Sequence, residues 1–163
     1  MRWEESFKAD PRALPLADRH YNRQKVGSPQ FMPPGKTHVL LTPDADALWG
    51  SSWPKAEYVR HAWAGAWICS VFRNESPHRA SELILEAVAA TRAVWGEPPP
   101  LGMVTFVDAR KVRHKRDPGR CYVRAGFERV GKTKGGLLAF QLIPERMPAP
   151  QRARPRNPSG DES

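Results

Sequence analysis

The stretch from Arg73 to Ala109 constrains the fold more than any other. "RNESPHRASELILEAVAATRAVWG" begins with turn chemistry and then repeats apolar residues at helical spacing, with Leu83, Ile84, Ala87, Val88, Thr91 and Val94 on one face. Ser81 reads as its N-cap, Glu82 suits the first turn, and Gly96 ends it. "EPPP" leads into "LGMVTFVDA" (101–109), a near-continuous apolar run of the kind buried on both faces of a sheet. Ahead of the helix, "VRHAWAGAWICSVF" (59–72) is rich in aromatic and β-branched residues and is interrupted by Gly65, which predicts a long, bent strand. A helix returning between strands places the chain in the mixed α/β class.

The flanking segments extend this reading. "RWEESFK" (2–8) predicts a short strand, and "PRALPLADRHYNRQ" (11–24) a helix with Leu14, Ala17 and Tyr21 recurring on one side. A long proline-bearing loop follows, with an exposed-looking Phe31–Met32 pair. "THVLLT" (37–42) and "ALWGSSW" (47–53) form a hairpin across "PDAD". "PGRCYVRAGF" (118–127) predicts a short helix, and "ERVGKTKGGLLAFQLI" (128–143) a final strand, or two with a turn at Gly135–Gly136. At 163 residues the chain is large enough for a single core, so residues 1–143 read as a single domain. Residues 144–163, rich in Pro, Arg and Ser, read as a flexible basic tail dispensable for the fold. Trp49, Trp53, Trp63 and Trp67 are expected mainly in the core.

No apolar run reaches the roughly 18–20 residues that span a bilayer. "MRWEESFKAD" has no apolar stretch of the kind a signal peptide needs, so a cytoplasmic protein is expected. Cys69 and Cys121 lie far apart with no metal-binding spacing, and no disulfide is expected. Cys69 reads as a buried apolar residue and Cys121, between Arg120 and Tyr122, as the more reactive thiol. The formal net charge of +9 favours a polyanionic partner, with double-stranded DNA the leading expectation. No phosphate loop, HExxH or nucleophile elbow is present, and no spacing of the histidines supports a metal site.

From Trp67 to Ile143 the chain resembles the second half of the GNAT (N-acetyltransferase) superfamily, through its strand, turn, long helix and apolar strand and then "CYVRAGFERVGKT" with Tyr122, Gly126 and Phe127. The His20–Tyr21 pair, "FRNES" with "SELI" (72–84), and "TFVD" (105–108) also resemble phage DNA-modification proteins of the Mom type. The resemblance implies a GNAT-like mixed central sheet flanked by helices. It also implies a transferase placing a carbamoylmethyl group on the N6 amine of adenine in DNA. One departure bears on the donor. The turn that in this superfamily cradles the acetyl-CoA pyrophosphate is glycine-rich, whereas here it is "SPHRAS", with Pro77 and no glycine.

The candidate residues follow. Asp108, at the carboxyl end of a buried strand, is either a proton acceptor for an exocyclic amine or a partner for Arg110. His20 and Tyr21 are candidates for proton handling and for holding an extruded base beneath the 22–36 loop. Arg73, Asn74, Glu75, Ser76, Arg79, Ser81 and Tyr122 are candidates for positioning the donor. Arg110, Lys111, Arg113, Lys115, Arg116 and Arg120 form a cation-dense segment suited to DNA phosphates. Two other readings stay open: an N-acyltransferase using acetyl-CoA on a protein or small amine, and a non-catalytic DNA-binding module on the same fold.

Overall fold

A computed structural model of the chain describes residues 1–20, 23, 25–111 and 117–156. Tyr21, Arg113, Lys115 and Arg116 lie outside the described residues, as does the end of the chain from residue 157. The described elements run β1 (Glu4–Glu5), α1 (Leu14–Arg19), β2 (Lys36–Leu41), β3 (Ala47–Trp53), β4 (Trp67–Asn74), α2 (Ala80–Trp95), β5 (Met103–Val107), α3 (Arg120–Arg124), β6 (Glu128–Lys132) and β7 (Leu138–Leu142). The chain is mixed α/β, with one seven-stranded sheet in the order β1-β2-β3-β4-β5-β7-β6. Among the described strands only β4 and β5 run parallel, because α2 carries the chain back between them; the other neighbouring strands are antiparallel.

Alternation along the strands divides the core into two. Leu40, Trp49, Trp67, Cys69, Met103 and Phe140 pack toward α2 and α3, while Val39, Leu41, Leu48 and Val71 pack toward Ala13, Leu16 and Ala17 beside α1. Trp67, Cys69 and Val71 should share one face of a regular strand. They do not, because Gly50 pairs with Val71 while the next residue, Ser51, pairs with Cys69, leaving Ser70 as an extra residue in β4. This bulge reverses the alternation, bends the strand, and turns Val71 to the α1 side.

His38, in β2, ties β1 to α2. It is buried, with Nε2 2.8 Å from a Glu5 carboxylate oxygen and Nδ1 3.0 Å from the Thr91 hydroxyl in α2. Trp49 and Trp67 are fully buried, whereas Trp53 and Trp63 are half-buried.

Several expectations are corrected. The first helix ends at Arg19 rather than residue 24, since His20 is its C-cap in extended conformation (φ −73°, ψ 136°). The first strand shrinks to Glu4–Glu5, the part that pairs with β2. The long strand expected from residue 59 begins at Trp67; Gly65, at φ 98°, turns the chain just before it. Ser81 is not an N-cap: Arg79 is, and Ser81 is buried inside α2. Val94 is 53% exposed and leaves the apolar face.

The tail also differs from expectation through residue 156. Glu4 and Arg154 form a parallel β-bridge, with Glu5 N–H donating to the Arg154 carbonyl at 2.9 Å and Arg154 N–H to the Trp3 carbonyl at 2.9 Å. Met147 and Ala153 are buried. The edge of β1 offers unpaired backbone groups, and this otherwise polar segment satisfies them.

Candidate functional site

The paired part of the β4–β5 ladder is short. It joins Trp67 to Met103, Ile68 to Val104 and Cys69 to Thr105, and stops there although both strands continue. It ends where the Ser70 bulge begins, and the Thr105 hydroxyl donates to the Cys69 carbonyl at 3.1 Å across the last pair. Beyond it the strands splay, and a cleft of about 450 Å³ opens between them. Its wall comes from Ser70–Asn74 of β4, Thr105–Val107 of β5, Ala80 at the start of α2, Gly119, Cys121 and Tyr122 around α3, and Arg19 and His20 at the end of α1. The cleft therefore lies at the carboxyl end of the one parallel pair, where open α/β sheets commonly bind ligands.

The lining includes Arg19, Arg73 and Lys111, and no carboxylate among the described residues. Glu75, just outside, holds the two arginines. Arg19 donates to both carboxylate oxygens at 2.7 and 2.8 Å, and Arg73 Nε donates to one of them at 2.9 Å. Arg19 above all, with Arg73, holds the Glu75 carboxyl below its ordinary range despite some opposing desolvation. One anion against three cations leaves the mouth of the cleft positive.

The floor is apolar and aromatic. Tyr122 packs edge-on to Phe72 and Phe127 and stacks against Phe140. Burial, with Cys69 and Cys121 nearby, drives its phenol well above the ordinary tyrosine value. Tyr122 is thus a neutral donor at physiological pH, its oxygen 3.7 Å from Cys69 Sγ. Burial likewise pushes the Cys69 thiol up to about 12, so it is no nucleophile; Cys121, half-buried in the cleft wall, is the more accessible of the two, and neither forms a disulfide.

The candidate residues divide into those the fold gathers and those it does not. His20, Arg73, Asn74, Lys111 and Tyr122 line the cleft. Asp108 does not; it accepts from Arg110 N–H at 3.0 Å and Arg110 Nε at 3.2 Å, the partnership that was the alternative reading of this residue. The Arg110 side chain, against some desolvation and helped by the Arg110 and Lys111 N–H groups, holds the Asp108 carboxyl below its ordinary value of 3.8. Arg120 is exposed at the start of α3. Sequence reasoning missed Arg19, Ser70 and Gly119, which no motif marks.

The turn from Asn74 to Arg79 bears directly on acetyl-CoA. Asn74 Oδ1 accepts from the Ser76 N–H at 2.9 Å, Ser76 Oγ accepts from the His78 N–H at 3.2 Å, and the Asp46 carbonyl accepts from the Glu75 N–H at 2.7 Å. The Glu75, Ser76 and His78 amides are thus consumed within the protein. Glu82 adds negative charge to the first turn of α2 and pairs with Arg2 at 3.0 Å and Arg79 at 3.7 Å. Ser81 is buried. These residues do not fit the acetyl-CoA pyrophosphate.

Among the described residues no group of three or more His, Cys, Asp or Glu is arranged to hold a metal ion, and no helix is long and apolar enough to cross a membrane. No protein-family model, curated protein or solved structure matches the chain.

Proposed function

We propose that the protein is a transferase of GNAT-like arrangement that modifies the N6 amine of adenine in DNA, as the Mom-type proteins it resembles do. The observation that carries this reading is the cleft between splayed β4 and β5, cationic at its mouth and free of carboxylates among the described lining residues. The mixed sheet with one parallel pair supports the GNAT-like part, and the net charge of +9 supports the polyanionic substrate. The turn chemistry at residues 74–79 disfavours acetyl-CoA and so favours a different small-group donor.

In this reading Lys111 and Arg120 meet backbone phosphates near the cleft, together with Arg110 where its pairing with Asp108 leaves the guanidinium exposed. The amine nitrogen forms a bond to the transferred carbon as that carbon's bond to its leaving group breaks, the electron pair departing with the leaving group. His20, on the cleft wall, accepts the proton that the amine loses. Tyr122, on the cleft wall and held as a phenol, donates a hydrogen bond to the charge that develops on the leaving group, which departs into solvent and is protonated there.

Nucleoside mass spectrometry tests this on DNA from cells expressing the wild type, His20→Ala or Tyr122→Phe. The expected result is a new adenine species with the wild type that each variant reduces by about 10²-fold or more, the usual scale for losing a catalytic base or a hydrogen-bond donor to developing charge. Unmodified DNA from folded wild-type protein overturns the reading. Steeply salt-dependent DNA binding without modification would point instead to a non-catalytic DNA-binding module.

A further inference from the structure

A second hollow, of about 300 Å³, adjoins the cleft on the α1 side of the sheet. The two share Ser70 and Val71, the residues at the β4 bulge, so they meet where the parallel ladder opens. Resting on the function proposed above, we infer that this hollow seats the adenine base itself, extruded from the duplex, with Phe31 as its stacking surface and Gln30 as its reading group.

The loop around the hollow is built in advance. Arg23, its side chain only 8% exposed, donates to Asp18 Oδ1 at 2.8 Å, to the Gln30 carbonyl at 2.9 Å and to the Ser28 carbonyl. The Gly27 N–H also donates to Asp18 at 3.0 Å, and together with Arg23 it holds that carboxyl below its ordinary range. Met32 is 7% exposed and packs onto Gly50, where a Cβ would come within 2.3 Å of its sulfur. An arginine spent on carbonyls and a methionine anchored on a glycine fix the segment from Ser28 to Pro33 over β3 and β4.

What this segment presents suits a planar heterocycle. Phe31, Met32 and Pro33 give apolar surfaces, and Ala17 and Val71 close the rear. The exposed Gln30 brings one amide donor and one acceptor, the complement of adenine's amine and neighbouring ring nitrogen. Lys25, also exposed, stands at the rim where the phosphates of an extruded nucleotide pass. A base held here directs its amine along Ser70 and Val71 toward His20 and Tyr122. The two hollows then divide the work, the larger for the donor and the smaller for the acceptor.

The probe is a duplex carrying 2-aminopurine, a fluorescent adenine analogue, opposite a mismatched base, which lowers the cost of extrusion. Fluorescence reports the state of the base and anisotropy of a distal dye reports duplex binding, for the wild type, Phe31→Ala, Phe31→Leu and Gln30→Ala. The expected result is a fluorescence change on binding that Phe31→Ala reduces by about tenfold or more, the lower part of the range for losing one base–aromatic stack. Phe31→Leu falls between the two. With unlabelled mismatched duplexes as competitors for the seat, Gln30→Ala removes the advantage of adenine over purine, which lacks the 6-amine, and duplex affinity stays within about threefold in all variants. Equal fluorescence changes in wild type and Phe31→Ala, at unchanged duplex affinity, would overturn the base seat and leave DNA modification standing. Absence of duplex binding by the folded wild type would overturn both.

Discussion

Asp108 shows how a neighbour sets what an acid can do. A carboxylate at the end of a buried strand invites assignment as a base, but this one is committed to Arg110, which holds it ionised and weakly basic. The sign of the pH dependence follows. A carboxyl held below 3.8 in the fold stabilises the protein at pH above 3.8, and that contribution is lost as pH falls from there through the lower folded value. Asp108→Asn keeps the shape without the charge. It is expected to lower stability at neutral pH and to flatten the loss between pH 4 and the acid unfolding limb, read as melting temperature against pH. On the proposed function, the variant is expected to keep DNA modification; its loss in a folded Asp108→Asn protein would return this residue to the chemistry. His20, by contrast, reaches the cleft because α1 ends there, and Tyr122 because α3 packs over the same opening.

The short turn into α3 is closely confined. Gly119 is the N-cap of α3 at φ 83°, a left-handed conformation that disfavours any side chain, and a Cβ on it would come within 2.3 Å of the Phe140 ring. Phe140 cannot retreat, since it is buried in the core and stacked on Tyr122. Gly119→Ala is therefore expected to destabilise the protein by about 2–4 kcal/mol, combining backbone strain with overpacking. Equilibrium denaturation measures this, and a change below about 0.5 kcal/mol, the scale of ordinary surface substitutions, would show that the turn relaxes. Gly50 makes a gentler contrast. Its nearest neighbour is the flexible end of Met32, although the stiff Val71 lies within 2.8 Å of the same point.

At the scale of the whole molecule, the two ends of the described chain meet. The segment from Gln151 to Arg156 runs along β1, and the Gln151 N–H donates to the Ala89 carbonyl at the back of α2. A chain ending at Pro148 would lose this bond and both backbone bonds to the β1 strand, and would uncover the site where Ala153 is buried. At about 1 kcal/mol net per hydrogen bond, the three lost bonds set the scale, and a destabilisation of up to about 3 kcal/mol is expected. Thermal melting of the shortened chain checks it; an unchanged melting temperature would restore the view of this segment as a passive tail.

The elements legible in advance were those with a local physical cause. α2 announced itself by its apolar period and Gly96, the β2–β3 hairpin by two β-type runs around "PDAD", and β5 by its unbroken apolar run. Those readings rest on spacing along the chain, and spacing is enough when one face must be buried. The tail misled because its composition reads as disorder, while its packing depends on a strand edge some 150 residues away in sequence. The bulge at Ser70 was hidden for a related reason: it exists only as a mismatch between two paired strands, and neither strand reveals it alone. The candidate site stood between these cases. His20, Arg73, Asn74, Lys111 and Tyr122 could be named from sequence, but their gathering, and the exclusion of Asp108, could not. The sequence by itself determined a mixed α/β chain with a cationic bias and a long central helix. Only the tertiary structure decided where β4 and β5 part, because that follows from a ladder that stops at Cys69 and Thr105 and from side chains of distant segments that line the space beyond it.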